Sequence, residues 1–185
     1  DARLGRKVLD GGIQRILDRG GEVRRNAETA DAAALKKLRG DYDAVYLATG
    51  ATSSKRLPGL DYDAPWVVDS ADFLAAANAG SPVETGKRVV VIGGGSAAMD
   101  WARTAVLLGK KVTVLSLEPE DMLPAQRVEV DEAMEEDITF VTGAMLQQAG
   151  PGAGGLVLNC VQVEFTPGEK RGEFTITPLE GATFT

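Results

Sequence analysis

The sequence contains no histidine, and this absence excludes several classes of site. Histidine is the proton carrier of many hydrolases and dehydrogenases, and it is a common ligand of zinc. None of these sites can be built on imidazole here, because the 185 residues include 0 histidines. Any chemistry must therefore use other side chains, the backbone or a bound cofactor.

Cysteine and long apolar runs are also scarce. Cys160 is the single cysteine, so the chain can form neither an internal disulfide nor a C-x-x-C redox pair. We expect it to be a small buried apolar side chain. The longest apolar runs, such as residues 105–108, are far too short to span a bilayer. These features favour a cytoplasmic location with neither a membrane span nor a signal peptide.

Positive charge is in deficit. The chain has 20 Lys and Arg against 27 Asp and Glu, for a net charge of −7. Nucleic acids and anionic membranes both favour clustered cations, so we expect neither as a partner. Hydrophobic residues make up 44% of the chain, which is typical of a globular protein with one large or two small domains. Because the first residue is Asp1 rather than Met, we also expect a piece of a longer protein.

Hydrophobic periodicity predicts an α/β chain. Helices are expected over residues 7–18, 32–38, 70–80 with Ser70 as its N-cap, 96–108 and around 128–134. Strands are expected over residues 22–24, 42–50, 88–92, 111–115 and 138–141. Alternating residues in 161–165 and 173–177 predict an antiparallel hairpin, whereas "AGPGAGG" over 149–155 is expected to be a flexible loop. Turn residues concentrated in "LPGLDYDAP" place a domain junction between residues 1–58 and 59–185.

The stretch "VVVIGGGSAAMD" contains the motif Gly93-x-Gly95-x-x-Ala98, which fits the dinucleotide-binding fingerprint. It follows a predicted strand, opens a predicted helix and precedes a second strand. Gly93 would permit the tight turn, and Gly95 would let a pyrophosphate approach the backbone. The first N–H groups of the helix favour an anion. A glycine-rich turn that merely packs is the alternative, and the surrounding strand and helix pattern argues against it.

An acidic residue lies at the distance that this fingerprint requires. Glu118 follows the second strand, twenty residues after Ala98. A carboxylate there can accept hydrogen bonds from the adenosine ribose and would repel a 2′-phosphate. The alternative is that Glu118 is a solvated loop residue, with Glu120 or Asp121 equivalent to it. Enzymes that transfer a methyl group from S-adenosylmethionine also use a glycine-rich loop after a first strand, but the flanking residues of this chain disfavour that reaction.

Longer stretches carry a family resemblance. "YDAVYLATGA", "GKRVVVIGGGSAAMDWARTAVLLG" and "EDMLPAQRVEVDEAMEEDITFV", followed by the closing hairpin, resemble the glutamate synthase small-subunit type of flavoprotein. The same type includes the NAD(P)H-handling part of dihydropyrimidine dehydrogenase and is related to adrenodoxin reductase. The glycine triplet with "AMD" and the Met-Leu-Pro-Ala stretch at 122–125 are its most specific parts.

The resemblance implies an FAD domain interrupted by an NAD(P)H domain. It gives Thr49 and Gly50, at the end of the "ATG" segment, a flavin-facing role, whereas from the residues alone Gly50 could equally be a simple turn. Two departures matter. Residues 1–40 lack the FAD domain's own glycine fingerprint, so we expect only one segment of that domain, in residues 1–58. Leu117 and Glu118 stand where many relatives place arginines for the NADPH 2′-phosphate, which favours NADH.

We therefore expect a Rossmann-like NAD(P)H-binding domain, with an antiparallel extension, in an FAD-dependent oxidoreductase. Hydride transfer between such cofactors needs no protein acid, so no catalytic side chain and no metal site are expected. Electrons would pass to iron–sulfur centres or a partner subunit. A non-catalytic NAD(H) sensor is the alternative, although it has no need of residues 1–58. The candidate cofactor-binding residues are Gly93, Gly94, Gly95, Ser96, Ala97, Ala98, Glu118, Thr49 and Gly50.

Two further features receive structural interpretations. Trp101 falls opposite Ala98 and Ala102 on the fingerprint helix, so it is expected to meet the FAD domain or a partner subunit, or to lie on the surface. The acidic run "EVDEAMEED" over residues 129–137 is expected to be a solvated helix face.

Overall fold

A computed structural model describes residues 5–29, 31–50, 54–81, 83–170 and 172–185. They divide into two compact units, the first reaching to Gly50 and the second beginning at Ser54. The assignment of residues 1–58 to a flavin domain and of 59–185 to a nucleotide domain stays a prediction.

The first unit contains the helices α1, Arg6–Leu17, and α2, Ala32–Asp41. Asp31 caps α2 by accepting a hydrogen bond from the backbone N–H of Ala34 at 2.7 Å, which satisfies one of the donors left unpaired at a helix start. Neither helix buries a residue. The periodicity that forms them is present, but the apolar face of α1 stays largely exposed and that of α2 is only half-buried.

The strands predicted over residues 22–24 and 42–50 are wrong. Residues 44–50 have no strand structure, and Tyr46 and Leu47 are 92% and 63% exposed. A strand needs a hydrogen-bonded neighbour, and no described residue of this unit provides one. The apolar run therefore indicated a preference for strand structure, but the described residues of the unit offer no strand with which it could pair.

The second unit is built on a parallel sheet with strand order β1-β2-β3. In chain order its elements are α3 Ser70–Asn78, β1 Arg88–Ile92, α4 Ser96–Leu107, β2 Lys111–Leu115, α5 Arg127–Glu135 and β3 Thr139–Val141. A 3-10 turn at Glu120–Met122 precedes α5. The Rossmann-like prediction is confirmed for this part of the chain. The N-cap of α3 is Asp69 rather than Ser70, because the Asp69 carboxylate accepts the Ala71 N–H at 2.8 Å.

An antiparallel sheet follows, with strand order β4-β5-β6. Its strands are β4 Ala144–Gly152, β5 Gly155–Pro167 and β6 Phe174–Phe184. The predicted hairpin is confirmed, with Phe165 opposite Ile176. The loop predicted over residues 149–155 is wrong, because Ala149 pairs with Leu158 and Gly152 with Gly155 across a tight turn. Cross-strand pairing there overrides the loop preference of glycine and proline.

The core of the second unit lies between the parallel sheet and its helices. Trp101 is 6% exposed, and its ring stacks on that of Phe73 with centroids 4.0 Å apart. The prediction that Trp101 lies on the surface or meets the FAD domain or a partner subunit is therefore wrong within this unit, because α3 covers that side of α4. Stacked aromatic pairs of this kind add to the free energy gained from burial alone.

The acidic run on α5 is not simply solvated. Glu129 is 7% exposed, and its carboxylate accepts the backbone N–H of Gln126 at 3.2 Å. Arg103 on α4 donates to Glu136 at 2.7 and 3.0 Å and to Glu132 at 2.5 Å. These bonds join α4 to α5. Among the described residues, no helix combines the length and apolar character needed to cross a membrane.

Candidate functional site

The glycine turn joins β1 to α4 at the carboxyl end of the parallel strands. Gly93 has a φ of +128°, a conformation that glycine adopts without steric cost. Its N–H donates to the carbonyl of Leu115, the last residue of β2, at 2.8 Å. The turn is therefore fixed to the neighbouring strand, and the carboxyl end of such strands is where open α/β sheets bind ligands.

Gly95 is the N-cap of α4 and leaves open space in front of the helix. Its carbonyl accepts the N–H of Ala98 at 2.9 Å, which starts the helix. No side chain caps α4, so its first N–H groups, from Ser96 and Ala97 onward, remain suited to an anion. A Cβ placed on Gly95 would meet no atom within 4 Å. The described residues therefore leave room for an external group at Gly95, and a cofactor contact there stays a prediction.

Gly94 is glycine for a different reason. A Cβ there would lie 2.6 Å from Ser116 Oγ and 2.7 Å from a Leu123 methyl carbon. The Gly94 carbonyl also accepts the N–H of Ala125 at 3.1 Å. The Met-Leu-Pro-Ala stretch therefore packs over the back of the turn, a role that sequence analysis missed although it singled out those residues. A cofactor contact for Gly94 stays a prediction.

The first turn of α4 carries small side chains. Ala97 is exposed and Ser96 half-buried. A Cβ on Gly93 would lie 3.9 Å from the Cβ of Ala98, which is an ordinary van der Waals distance, so the small side chain of Ala98 lies close to the turn. Direct cofactor contacts of these residues remain predictions.

Glu118 lies beyond the end of β2, and a buried hydroxyl holds it. Ser116, which is 1% exposed, donates through its Oγ to Glu118 Oε2 at 2.5 Å. The same Oγ accepts the Glu118 N–H at 3.3 Å. Glu120 and Asp121 are exposed on the 3-10 turn, so the structure distinguishes them from Glu118. A ribose contact of Glu118 stays a prediction.

The remaining predicted site residues belong to the first unit. Thr49 and Gly50 are exposed, and Gly50 has a φ of +73°. A Cβ on Gly50 would meet nothing within 4 Å. Glycine is thus required there by conformation, and a flavin-facing role stays a prediction.

Side-chain redox or metal chemistry finds little support in the described ranges. Cys160 on β5 is 4% exposed, and burial raises the pKa of its thiol. A thiol of that kind is unreactive, and the expectation of a small buried side chain is confirmed. The described residues contain no group of three or more Cys, Asp or Glu side chains placed to hold a metal ion.

Comparison with known proteins identifies relatives of nearly the whole chain. The family described as pyridine nucleotide-disulphide oxidoreductase matches residues 6–170. The NADP(+)-dependent formate dehydrogenase subunit beta of Moorella thermoacetica is 30% identical over 98% of this chain and 26% of its own length. The glutamate synthase [NADPH] small chain of Escherichia coli is 35% identical over 75% of this chain and 32% of its own length. The resemblance seen in the sequence is therefore confirmed.

A third relative and a solved structure complete the comparison. The NAD-dependent dihydropyrimidine dehydrogenase subunit PreT of Escherichia coli is 32% identical over 76% of this chain and 34% of its own length. Mycobacterium tuberculosis FprA, solved in complex with NADPH, superposes with a TM-score of 0.59 over 80% of this chain and 49% of its own, at 16% identity. That likeness supports the fold. The chain spans about a third of the length of these curated relatives.

Proposed function

The chain belongs to the pyridine nucleotide-disulphide oxidoreductase family, and on that premise we propose that residues 59–185 form the NAD(P)H-binding domain of a flavoprotein oxidoreductase. Residues 1–58 would be one segment of its FAD domain, with Thr49 and Gly50 facing the flavin. The observation that carries the proposal is the open space in front of Gly95, at the start of α4. That space fits a pyrophosphate held by helix N–H groups.

Each residue of the turn then has a defined task. Gly95 lets the pyrophosphate approach the backbone, and the N–H groups of Ser96 and Ala97 donate to its oxygens. Glu118 accepts hydrogen bonds from the hydroxyls of the adenosine ribose. Gly93 and Ala98 keep the turn tight, so that the helix N–H groups and the Glu118 carboxylate face the same dinucleotide.

The reaction itself needs little from the protein. A bound reduced nicotinamide supplies a hydride to a flavin, and the protein contributes position and shielding from water. The absence of histidine and of a reactive thiol is compatible with this division of labour. The tasks left for the described residues are to bind the dinucleotide and to orient it.

NADH is the favoured nucleotide. Glu118 would bring a carboxylate near the 2′-phosphate of NADPH and repel it, and neither Ser116 nor Leu117 offers a cation to hold that phosphate. The relatives differ in this respect, since the glutamate synthase chain is named for NADPH and PreT for NAD. The preference of this chain therefore rests on its own residue at position 118.

Electron transfer to a partner completes the proposal. The formate dehydrogenase beta subunit and PreT are both subunits of larger enzymes, which supports a partner subunit or an iron–sulfur centre as electron acceptor. These relatives are oxidoreductases, so they favour the enzymatic function over a non-catalytic sensor. A cytoplasmic location is part of the same proposal.

The test compares two adjacent glycines. Gly95→Ala should weaken NADH binding at least about tenfold, because the methyl group fills the space of the pyrophosphate. It should lower the free energy of unfolding by only about 1 kcal/mol or less, the cost of a poorer N-cap. Isothermal titration calorimetry with NADH and a denaturant titration measure the two effects.

Gly94→Ala is the comparison for stability. Its Cβ meets Ser116 and Leu123 rather than open space, so it should lower the free energy of unfolding by about 1–3 kcal/mol. The proposal is contradicted if Gly95→Ala binds NADH as tightly as the unsubstituted chain. It is also contradicted if the unsubstituted chain binds neither NADH nor NADPH.

A further inference from the structure

Ser116 has the most constrained hydroxyl near the candidate site. It directly follows β2 and is 1% exposed. Its backbone N–H donates to the Val141 carbonyl at 3.0 Å, and its carbonyl accepts the Ala144 N–H at 2.9 Å. Both polar backbone groups of Ser116 are therefore hydrogen-bonded, which fixes the position of the Cα from which its side chain extends.

The Ser116 hydroxyl lies next to both the Glu118 side chain and the glycine turn. On one side it donates to Glu118 Oε2 at 2.5 Å and accepts the Glu118 N–H at 3.3 Å. On the other side it occupies the space next to Gly94, 2.6 Å from where a Cβ of that residue would lie. Ser116 thus lies between the glycine turn and the acid.

We propose that Ser116 is a positioning residue that holds the Glu118 carboxylate toward the adenosine ribose and so sets the preference for NADH over NADPH. This inference rests on the proposed function. Ser116 itself is buried, so it acts through Glu118 rather than by touching the nucleotide. It acts by binding Oε2 of Glu118, which leaves Oε1 for the ribose hydroxyls.

The physical reason is preorganisation. A glutamate side chain that is free in solution must be ordered when it binds a ligand, and that cost reduces affinity. A hydrogen bond from a buried hydroxyl orders the carboxylate beforehand, and hydrogen bonds to charged groups are the stronger kind. The same ordering holds the negative charge where a 2′-phosphate would lie, so it weakens NADPH binding.

A double-mutant cycle tests the inference. Ser116→Ala should weaken NADH binding by about tenfold and lower the ratio of NADH to NADPH affinity. In the background of Glu118→Ala, the same Ser116→Ala change should alter NADH affinity by less than about twofold, because the group it positions is gone. Calorimetric titrations of the unsubstituted chain, the two single variants and the double variant with NADH and NADPH give these values.

Val112→Ala provides the structural control. Val112 is 3% exposed and lies toward the other end of β2 from Ser116, so its truncation destabilises the strand without touching the acid. We expect a lower midpoint of unfolding with an unchanged ratio of NADH to NADPH affinity. A purely structural role for Ser116 would give the same pattern as Val112→Ala.

The outcomes separate the two proposals. If Ser116→Ala weakens both dinucleotides equally, or acts additively with Glu118→Ala, Ser116 does not position the acid and the inference is wrong while the proposed function stands. If the unsubstituted chain binds neither dinucleotide, the proposed function fails and the inference fails with it.

Discussion

The two units of the chain use similar apolar patterns with opposite results. In the first unit, α1 places Leu9, Ile13 and Ile16 at helical spacing, yet these side chains are 41%, 39% and 62% exposed. In the second unit, Phe73 on α3 is 0% exposed. Helical periodicity is present in both units, but neither described helix of the first unit buries a residue, whereas the second unit provides a surface to pack against. A pattern predicts which face of a helix is apolar, and burial depends on what the chain places opposite that face.

The candidate nucleotide-binding residues and the candidate flavin-facing residues differ in the same way. The glycine turn is held by hydrogen bonds to Leu115 of β2 and to Ala125. Glu118 is held by Ser116 and by the Gly143 N–H, all within the same unit. Thr49 and Gly50 lie in a segment without strand pairing in theirs. The candidate nucleotide site is thus preorganised by the described residues, whereas the proposed flavin contact depends on groups outside its unit.

The largest expected effect comes from the aromatic pair. Phe73→Ala should lower the free energy of unfolding of the second unit by about 3–5 kcal/mol, because it leaves a cavity beside the ring of Trp101. Both tryptophans, Trp66 and Trp101, belong to that unit, so their emission during a denaturant titration reports its unfolding.

The matched substitution in the first unit is Ile16→Ala. Because Ile16 is 62% exposed, its truncation should change stability by no more than about 0.5 kcal/mol, as surface substitutions generally do. Far-UV circular dichroism during thermal unfolding follows this helix. A loss comparable to that of Phe73→Ala would contradict the contrast between the two units.

An effect between those of Phe73→Ala and Ile16→Ala is expected where the second unit begins. Ser54 donates to the Asp69 carboxylate at 2.8 Å, and this bond is the main cause that lowers the pKa of Asp69 below its ordinary value. A lowered pKa in the folded state means that the bond stabilises fully above the unfolded-state pKa of about 3.9. The stabilisation is lost as the pH falls from there through the folded-state pKa.

Ser54→Ala should therefore cost about 1 kcal/mol at pH 6 and less at pH 3. Denaturant titrations at the two pH values measure the difference. The control is Ser81→Ala, an exposed serine just after α3, whose effect should not depend on pH. A Ser54→Ala effect that is equal at both pH values would contradict the account of Asp69.

Sequence patterns predicted the second unit well for a physical reason. Short parallel strands joined by helices have strong local signals, and the fingerprint ties three glycines to one turn. The packing of Ser116 and of residues 123–125 against Gly94 was missed, because these contacts join segments distant in the chain. The Ser116–Glu118 bond is local in the chain, but the burial of Ser116 that makes it informative is tertiary. The pairing of β4 was missed because its glycines and proline favour a turn locally.

The wrong strand predictions in the first unit come from a local pattern that lacks a tertiary partner. Residues 42–50 carry a genuine apolar run, but strand structure needs a partner that the described residues of that unit do not supply. The burial of Trp101 was missed for a related reason, since periodicity alone cannot tell which neighbour covers a second helix face. In both cases the missing information was tertiary.

A parallel titration with NADH and NADPH tests the central claim most directly. The account predicts that the chain binds NADH at least about tenfold more tightly than NADPH, since a carboxylate facing a phosphate is repulsive. Glu118→Arg should reverse or abolish this preference. Tighter binding of NADPH by the unsubstituted chain would contradict the role of Glu118, and binding of neither nucleotide would contradict the site itself.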